Sequence, residues 1–102
     1  MKLLTQANLK ALPAQGSTIG QAMDAIAQVK FFTPWTNWTW YAVEYNPDGK
    51  LFYGLVDGFE KEVGYWGLEE LEDIKGPFGL KIERDLHFTP TPLSKLMEGH
   101  TA

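Results

Sequence analysis

Residues 38–45, Trp-Thr-Trp-Tyr-Ala-Val-Glu-Tyr, run into Asn46-Pro47-Asp48-Gly49 and emerge as Leu51-Phe52-Tyr53-Gly54-Leu55-Val56. Aromatic and β-branched side chains of this kind fit the pleated surface of a strand. The turn between the runs has Asn first, a proline with its φ already set second, and glycine last. Two such runs joined by such a turn make an antiparallel hairpin. Alternation places Trp38, Trp40, Ala42 and Glu44 on one face of the first strand, and Thr39, Tyr41, Val43 and Tyr45 on the other. Both faces are heavy, which is the pattern of a central strand covered on both sides.

The segments around the hairpin read in order. Thr5 has the character of an N-cap for a short helix over 6–12, ended by Pro13. Thr18-Ile19-Gly20-Gln21 has the spacing of a capping box, and Ile19, Met23 and Ile26 recur at helical spacing, predicting a second helix. Residues 28–33 predict a strand stopped at Pro34, and residues 63–66 a short strand after the Asp57-Gly58 turn. Leu68, Leu71 and Ile74 form the apolar stripe of a helix over 68–75, with Glu69 and Glu70 in its first turn and Gly76-Pro77 at its end. Residues 80–88 predict a last strand, with Ile82, Arg84, Leu86 and Phe88 on one face and Lys81, Glu83, Asp85 and His87 on the other. Thr89-Pro90-Thr91-Pro92 is an extended linker, because residues before proline avoid the helical region, and 93–98 form a final helical turn. The sum is α+β: a single domain over 1–102 with a four- or five-stranded antiparallel meander and short flanking helices.

Composition narrows the chemistry. At 44% hydrophobic and 22% charged, the 102 residues can bury one core and leave no room for a long disordered tract. Cysteine is absent, which removes disulfides, thiolate nucleophiles and Cys-based metal sites. No stretch approaches the roughly 20 apolar residues of a membrane-spanning helix. Met1-Lys2-Leu3-Leu4-Thr5 turns polar sooner than a signal peptide does, so the expectation is a cytoplasmic protein. The charge is unevenly spread. Between residues 57 and 73, the seven carboxylates of Asp57, Glu60, Glu62, Glu69, Glu70, Glu72 and Asp73 face Lys61 alone, a net charge of −6 against −4 for the whole chain. A non-specific nucleic-acid binder carries the opposite sign.

Three groups of residues carry possible chemistry. The segment 30–41 holds three of the four Trp, and its rings either fill the core or stack bases or a peptide. No Lys or Arg lies between Phe31 and Glu44, which favours the core, and Trp35 is the expected exposed ring because it sits in a loop. Glu83 and Asp85 share a strand face and would act as an acid–base pair or metal ligands, or else form a solvated face. Arg84, on the apolar side, needs a carboxylate such as Glu44. His87 and His100 have no hydroxyl or carboxylate at motif spacing, and no phosphate loop, His-x-x-x-His or Gly-x-Ser-x-Gly occurs. The expected metal and cofactor set is therefore none. The third group is the acidic stretch, read either as a solvated helix face or as a docking surface for a basic partner.

A resemblance joins these pieces. Lys30-Phe31-Phe32-Thr33-Pro34, Asn37-Trp38-Thr39-Trp40-Tyr41, Phe52-Tyr53-Gly54-Leu55-Val56, Gly64-Tyr65, Leu68-x-x-Leu71, Gly76-Pro77-Phe78-Gly79-Leu80 and Ile82-Glu83-Arg84-Asp85 stand in the order of a small bacterial family. From about Leu3 to Leu96 the chain resembles domain of unknown function 2958. The resemblance implies a compact single domain carried on plasmids, integrative elements and phages, often near anti-restriction genes. It brings no activity and no catalytic residue.

Residues and resemblance together give one leading expectation. It is a cytoplasmic protein–protein interaction domain of a mobile element that inhibits a host defence nuclease complex, of CRISPR or restriction type, by stoichiometric binding. Glu60, Glu62, Glu69, Glu70, Glu72, Asp73 and Trp35 would make the contacts, with no turnover and no cofactor. The alternative is a nucleic-acid-associated accessory factor for replication or transfer of the element, using Trp35, Trp38 and Lys30. A third reading is a hydrolase or transferase using Glu83, Arg84, Asp85 and His87.

Overall fold

In the computed structural model of the protein, residues 3–98 are described. The readings of Met1, Lys2 and His100 lie outside the described residues. The hairpin at the heart of the sequence is also the heart of the molecule. β3 (Thr39–Asn46) and β4 (Leu51–Asp57) pair antiparallel, and β5 (Lys61–Gly67) pairs antiparallel with β4. β2 (Val29–Phe32) flanks β3 on the other side, and the two-residue β6 (Glu83–Arg84) completes a five-stranded antiparallel sheet in the order β5-β4-β3-β2-β6. β3 is the middle strand, as its two heavy faces require. At the turn, Asn46 Oδ1 accepts from the Asp48 and Gly49 amides at 3.0 and 3.4 Å. The left-handed residue of the turn is Lys50 (φ 50°), not Gly49.

Each face of the sheet has its own core. Phe31, Trp40, Ala42, Tyr45, Phe52 and Trp66 lie on one, packed with Leu3, Leu12, Leu71 and Ile82. This layer comes from α1 (Gln6–Ala11), α2 (Leu68–Asp73) and their flanks. Tyr41, Val43 and Leu55 lie on the other face, packed with Ala25, Ala27, Leu93 and Leu96. Here the cover is α3 (Leu93–Met97) and a two-stranded ribbon of β1 (Ile26–Ala27) with β7 (Thr91–Pro92). Phe52 stands against Phe31 (5.4 Å), Tyr45 (4.6 Å) and Trp66 (5.4 Å), centroid to centroid, so one ring links four strands. Such pairs add about 1 kcal/mol each beyond the area they bury.

One irregularity redistributes the side chains of β3. Ala42 opposes Gly54 but Glu44 opposes Tyr53, so Val43 is an extra residue, a β-bulge. The bulge shifts the alternation by one. Glu44 therefore joins Val43 and Tyr41 on the second face, and Tyr45 joins Trp40 and Ala42 on the first, the reverse of strict period two. Beside the bulge, a Cβ on Gly54 would collide with the Tyr41 carbonyl, and the Trp66 ring lies 3.1 Å away. Only glycine admits that approach.

Three elements differ from the sequence expectation for physical reasons. No helix forms over 18–26: Gly16, Gly20 and Ala22 take positive φ (89°, 92°, 49°), leaving turns and a single 3-10 turn at Ala22–Asp24. The Thr18 hydroxyl and amide, expected to cap that helix, are drawn to Glu44 instead. The strand over 80–88 contracts to Glu83–Arg84, because Asp85 Oδ1 accepts from the His87 amide at 2.9 Å and turns the chain. Helix α2 stops at Asp73, two residues short of the expected end, with Ile74 extended. The expected α+β meander with short helices is the observed fold.

Candidate functional site

The six acidic residues singled out from the sequence are all exposed, but they do not form one patch. Glu60 lies in the β4–β5 turn and Glu62 on β5, whereas Glu69, Glu70, Glu72 and Asp73 lie on α2. Strand β5 separates the two groups. From Glu62 to Gly67 the strand advances about 16 Å, more than a Debye length in physiological salt. Two acidic clusters therefore bracket one strand, and that strand is the sheet edge. Among the described residues, Glu69 alone of the six has an ion pair, with Lys50 at 3.6 Å, and both partners are exposed. Such a pair is worth about 0.5 kcal/mol.

Trp35 is half-buried rather than exposed. Its indole packs where a Cβ on Gly76 would stand, so the β2–β3 loop and the loop after α2 close on each other. The exposed rings are others, absent from the sequence reading. Phe59 is 95% exposed and sits edge-on to Trp38, centroids 5.3 Å apart at 82°. Phe78 is fully exposed at φ 57°, held in a tight turn by the Gly76 amide on the Leu80 carbonyl (2.8 Å) and the Leu80 amide on the Pro77 carbonyl (3.1 Å). Both are apolar residues inside turn composition, Asp-Gly-Phe and Gly-Pro-Phe-Gly, and that contrast was the available signal. Trp38 and Trp40 share a face as expected, centroids 5.9 Å apart.

Glu83, Arg84, Asp85 and His87 do line one hollow of about 330 Å³, together with Lys30 and Phe32. Two of these side chains, Asp85 and Arg84, are directed to structural partners. Asp85 faces Lys30 Nζ at 3.6 Å, and Arg84 Nη1 donates to the Leu3 carbonyl at 2.9 Å. Arg84 thus holds the N-terminal segment, and the expected Arg84–Glu44 pair does not form. Among the described residues no group of three His, Asp or Glu is placed to hold a metal. No helix of the described residues is long and apolar enough to cross a membrane.

Glu44 is the residue the sequence misassigned. It is 3% exposed, and its carboxylate accepts from the Gly16 and Thr18 amides, each at 2.8 Å, and from the Thr18 hydroxyl. Burial pushes its pKa up, but the Thr18 hydroxyl and the two amides outweigh burial and hold it below the ordinary glutamate value. The carboxylate pins the 14–21 loop over the second face of the sheet, where Glu44, Thr18, Tyr53 and Tyr65 border a cavity of about 250 Å³. Its signal was a lone carboxylate within an otherwise apolar central strand. Elsewhere, burial raises Tyr41, helped by Asp57 and Asp85, and raises Tyr45, helped by Glu72.

The molecule is thus a small two-core α+β domain with exposed carboxylates bracketing an edge strand. The chain belongs to the family described as "Protein of unknown function (DUF2958)", whose model matches residues 3–100. No curated protein and no solved structure matches it.

Proposed function

We propose that this chain is a cytoplasmic protein–protein interaction domain of a mobile element that inhibits a host defence nuclease complex by stoichiometric binding. The observation that carries the reading is the state of the acidic segment. Glu60, Glu62, Glu70, Glu72 and Asp73 are solvated and make no ion pair among the described residues, while Asp85 is paired with Lys30 and Arg84 holds the Leu3 carbonyl. An unneutralised field of one sign steers a basic partner and rejects acidic ones. The defence complex as target rests on the mobile-element setting that the family resemblance implies. The alternative, an accessory factor touching nucleic acid through Trp35, Trp38 and Lys30, has less support. Lys30 is half-buried against Asp85, and Trp35 is packed on Gly76.

The test is affinity capture by the tagged protein from a host with active defence systems, with the captured chains identified by mass spectrometry. The expected result is a nuclease or CRISPR subunit at a fixed ratio, lost when Glu69, Glu70, Glu72 and Asp73 are all changed to Lys with the thermal midpoint checked in parallel. Capture that survives the reversal refutes the acidic surface. Recovery of nucleic acid or replication proteins alone transfers the reading to the alternative.

A further inference from the structure

The two edges of the sheet are unlike. β6 offers two residues and then turns away, whereas β5 offers seven. The Leu68 amide donates to the Lys50 carbonyl at 2.9 Å, one step beyond the Leu51–Gly67 pair. Antiparallel alternation then directs the backbone groups of Trp66, Gly64 and Glu62 toward β4, and those of Gly67, Tyr65, Val63 and Lys61 outward. Among the described residues nothing in the backbone bonds to that outward row. Long uncovered edges are templates for another strand. Val63 and Tyr65 (58% exposed) stand on the face of the second core, and Ile19, 86% exposed, lies with Tyr65 along the same cavities. The opposite face of the edge carries Glu62 and then Gly64. Gly64 has no positive φ, and a Cβ there would touch nothing within 4 Å, so the fold itself has no need of glycine at this position. Glycine in a strand interior weakens it, and close approach of another backbone is one of the uses that retain it there.

We propose that the outer edge of β5 accepts an extended segment of a basic protein partner as a sixth strand. This deepens, and rests on, the docking function proposed above. The segment bonds to Val63 and Tyr65 through its backbone. Its apolar side chains lie on Val63 and Tyr65, and its alternate Lys or Arg side chains cross the space over Gly64 toward Glu62 and the carboxylates of α2. Main-chain bonds supply affinity and the alternating faces supply selection, as in other strand additions. A second copy of the chain fits the same register, since two β5 strands pair about Gly64. That pairing would bring two acidic clusters alongside two others, and like charges across an interface are strongly unfavourable. The charge decides for a basic occupant.

The experiment is residue-resolved amide hydrogen exchange on the intact chain, with a monomeric, end-capped peptide of alternating Val and Lys as probe and one of alternating Val and Glu as control. Amides of Glu62, Gly64 and Trp66 are protected throughout. Those of Val63 and Tyr65 exchange freely alone and slow by about tenfold or more with the Val/Lys peptide, the effect fading as salt is added. Tyr65→Pro removes an outward N–H that the fold does not use, and weakens the probe about tenfold. The inference is overturned if the Val/Lys peptide protects neither amide or the Val/Glu peptide protects them equally. Concentration-dependent protection without any peptide also overturns it, in favour of a second copy. In the capture assay, a defence complex retained undiminished by Tyr65→Pro overturns the edge while leaving the docking function standing.

Discussion

The Glu44 carboxylate is the most consequential polar group in the fold, and Glu44→Gln isolates its charge. Glutamine keeps the size of the side chain and one acceptor oxygen. Its amide nitrogen must replace the other oxygen, facing either the Gly16 amide or the two donors of Thr18. At least one partly buried N–H is then left opposite another donor, a loss of about 2 kcal/mol. In a domain of this size that lowers the thermal midpoint by roughly 10 °C. The acid behaviour gives a second, independent readout. A carboxyl held below its unfolded pKa contributes stability that is complete above the unfolded value and is lost as pH falls through the folded one. Protonated Glu44 has the same donor conflict as glutamine. The gap between wild type and Glu44→Gln is therefore widest near neutrality and closes in acid, below the ordinary glutamate range. Urea unfolding followed by tryptophan fluorescence measures the gap across pH, and hydrogen exchange at Gly16 and Thr18 locates it. A gap below about 0.5 kcal/mol at neutral pH, within the range of an ordinary surface change, refutes the reasoning. So does a gap that persists unchanged into acid.

Gly54→Ala and Gly64→Ala, one strand apart in the same pairing, should differ sharply in urea unfolding. The first forces a Cβ into the Tyr41 carbonyl and costs more than about 2 kcal/mol, and the second meets nothing and costs less than about 0.5. Trp66 Nε1 is a buried donor without a partner among the described residues, so Trp66→Phe removes an unmet N–H along with some ring volume. Its stability should stay within about 1 kcal/mol of wild type, whereas Trp66→Ala should lose about 4 kcal/mol. Phe78→Gly relieves a left-handed residue whose side chain touches little, and calorimetry should show stability unchanged or raised by about 1 kcal/mol.

The parts of this fold that were legible in the sequence are those governed by local rules. The N-cap at Thr5 forms, the Asn-Pro-Asp-Gly turn joins the two central strands, and the apolar stripe of α2 faces the core through Leu71. Several of the errors come from a side chain recruited across the fold. Thr18 would cap a helix in isolation, but Glu44 lies 26 residues away in sequence and takes both its donors. Asp85 continues an alternating pattern, yet its carboxylate closes a turn on His87 and faces Lys30. The bulge at Val43 has no composition signal at all. It follows from how β3 and β4 are paired, and it alone decides which core receives Tyr45. Trp35 was misplaced for the same reason: its loop is exposed, but Gly76, 41 positions on, leaves a bare surface for the indole.

The candidate site was legible as composition and not as geometry. A net charge of −6 over residues 57–73 is visible in the sequence, but nothing there shows that the charges flank a strand with no outer neighbour. That placement changes their physical meaning. Carboxylates scattered on a helix are only solvated, whereas carboxylates at both ends of an open edge act as a filter on what may pair with it. They oppose the commonest fate of an open edge, which is association with another copy, by setting like charges against each other. The same field lowers the barrier for a segment of opposite charge. On the proposed docking function, self-association and partner binding are coupled through one set of residues with opposite sign. Neutralising Glu62, Glu69 and Glu70 should raise the tendency to dimerise through β5 and reduce affinity for a basic strand in the same variant. Analytical ultracentrifugation and peptide titration of that variant read the two effects separately. A variant that loses basic-strand affinity without gaining self-association would show that the charges attract a partner but do not guard the edge.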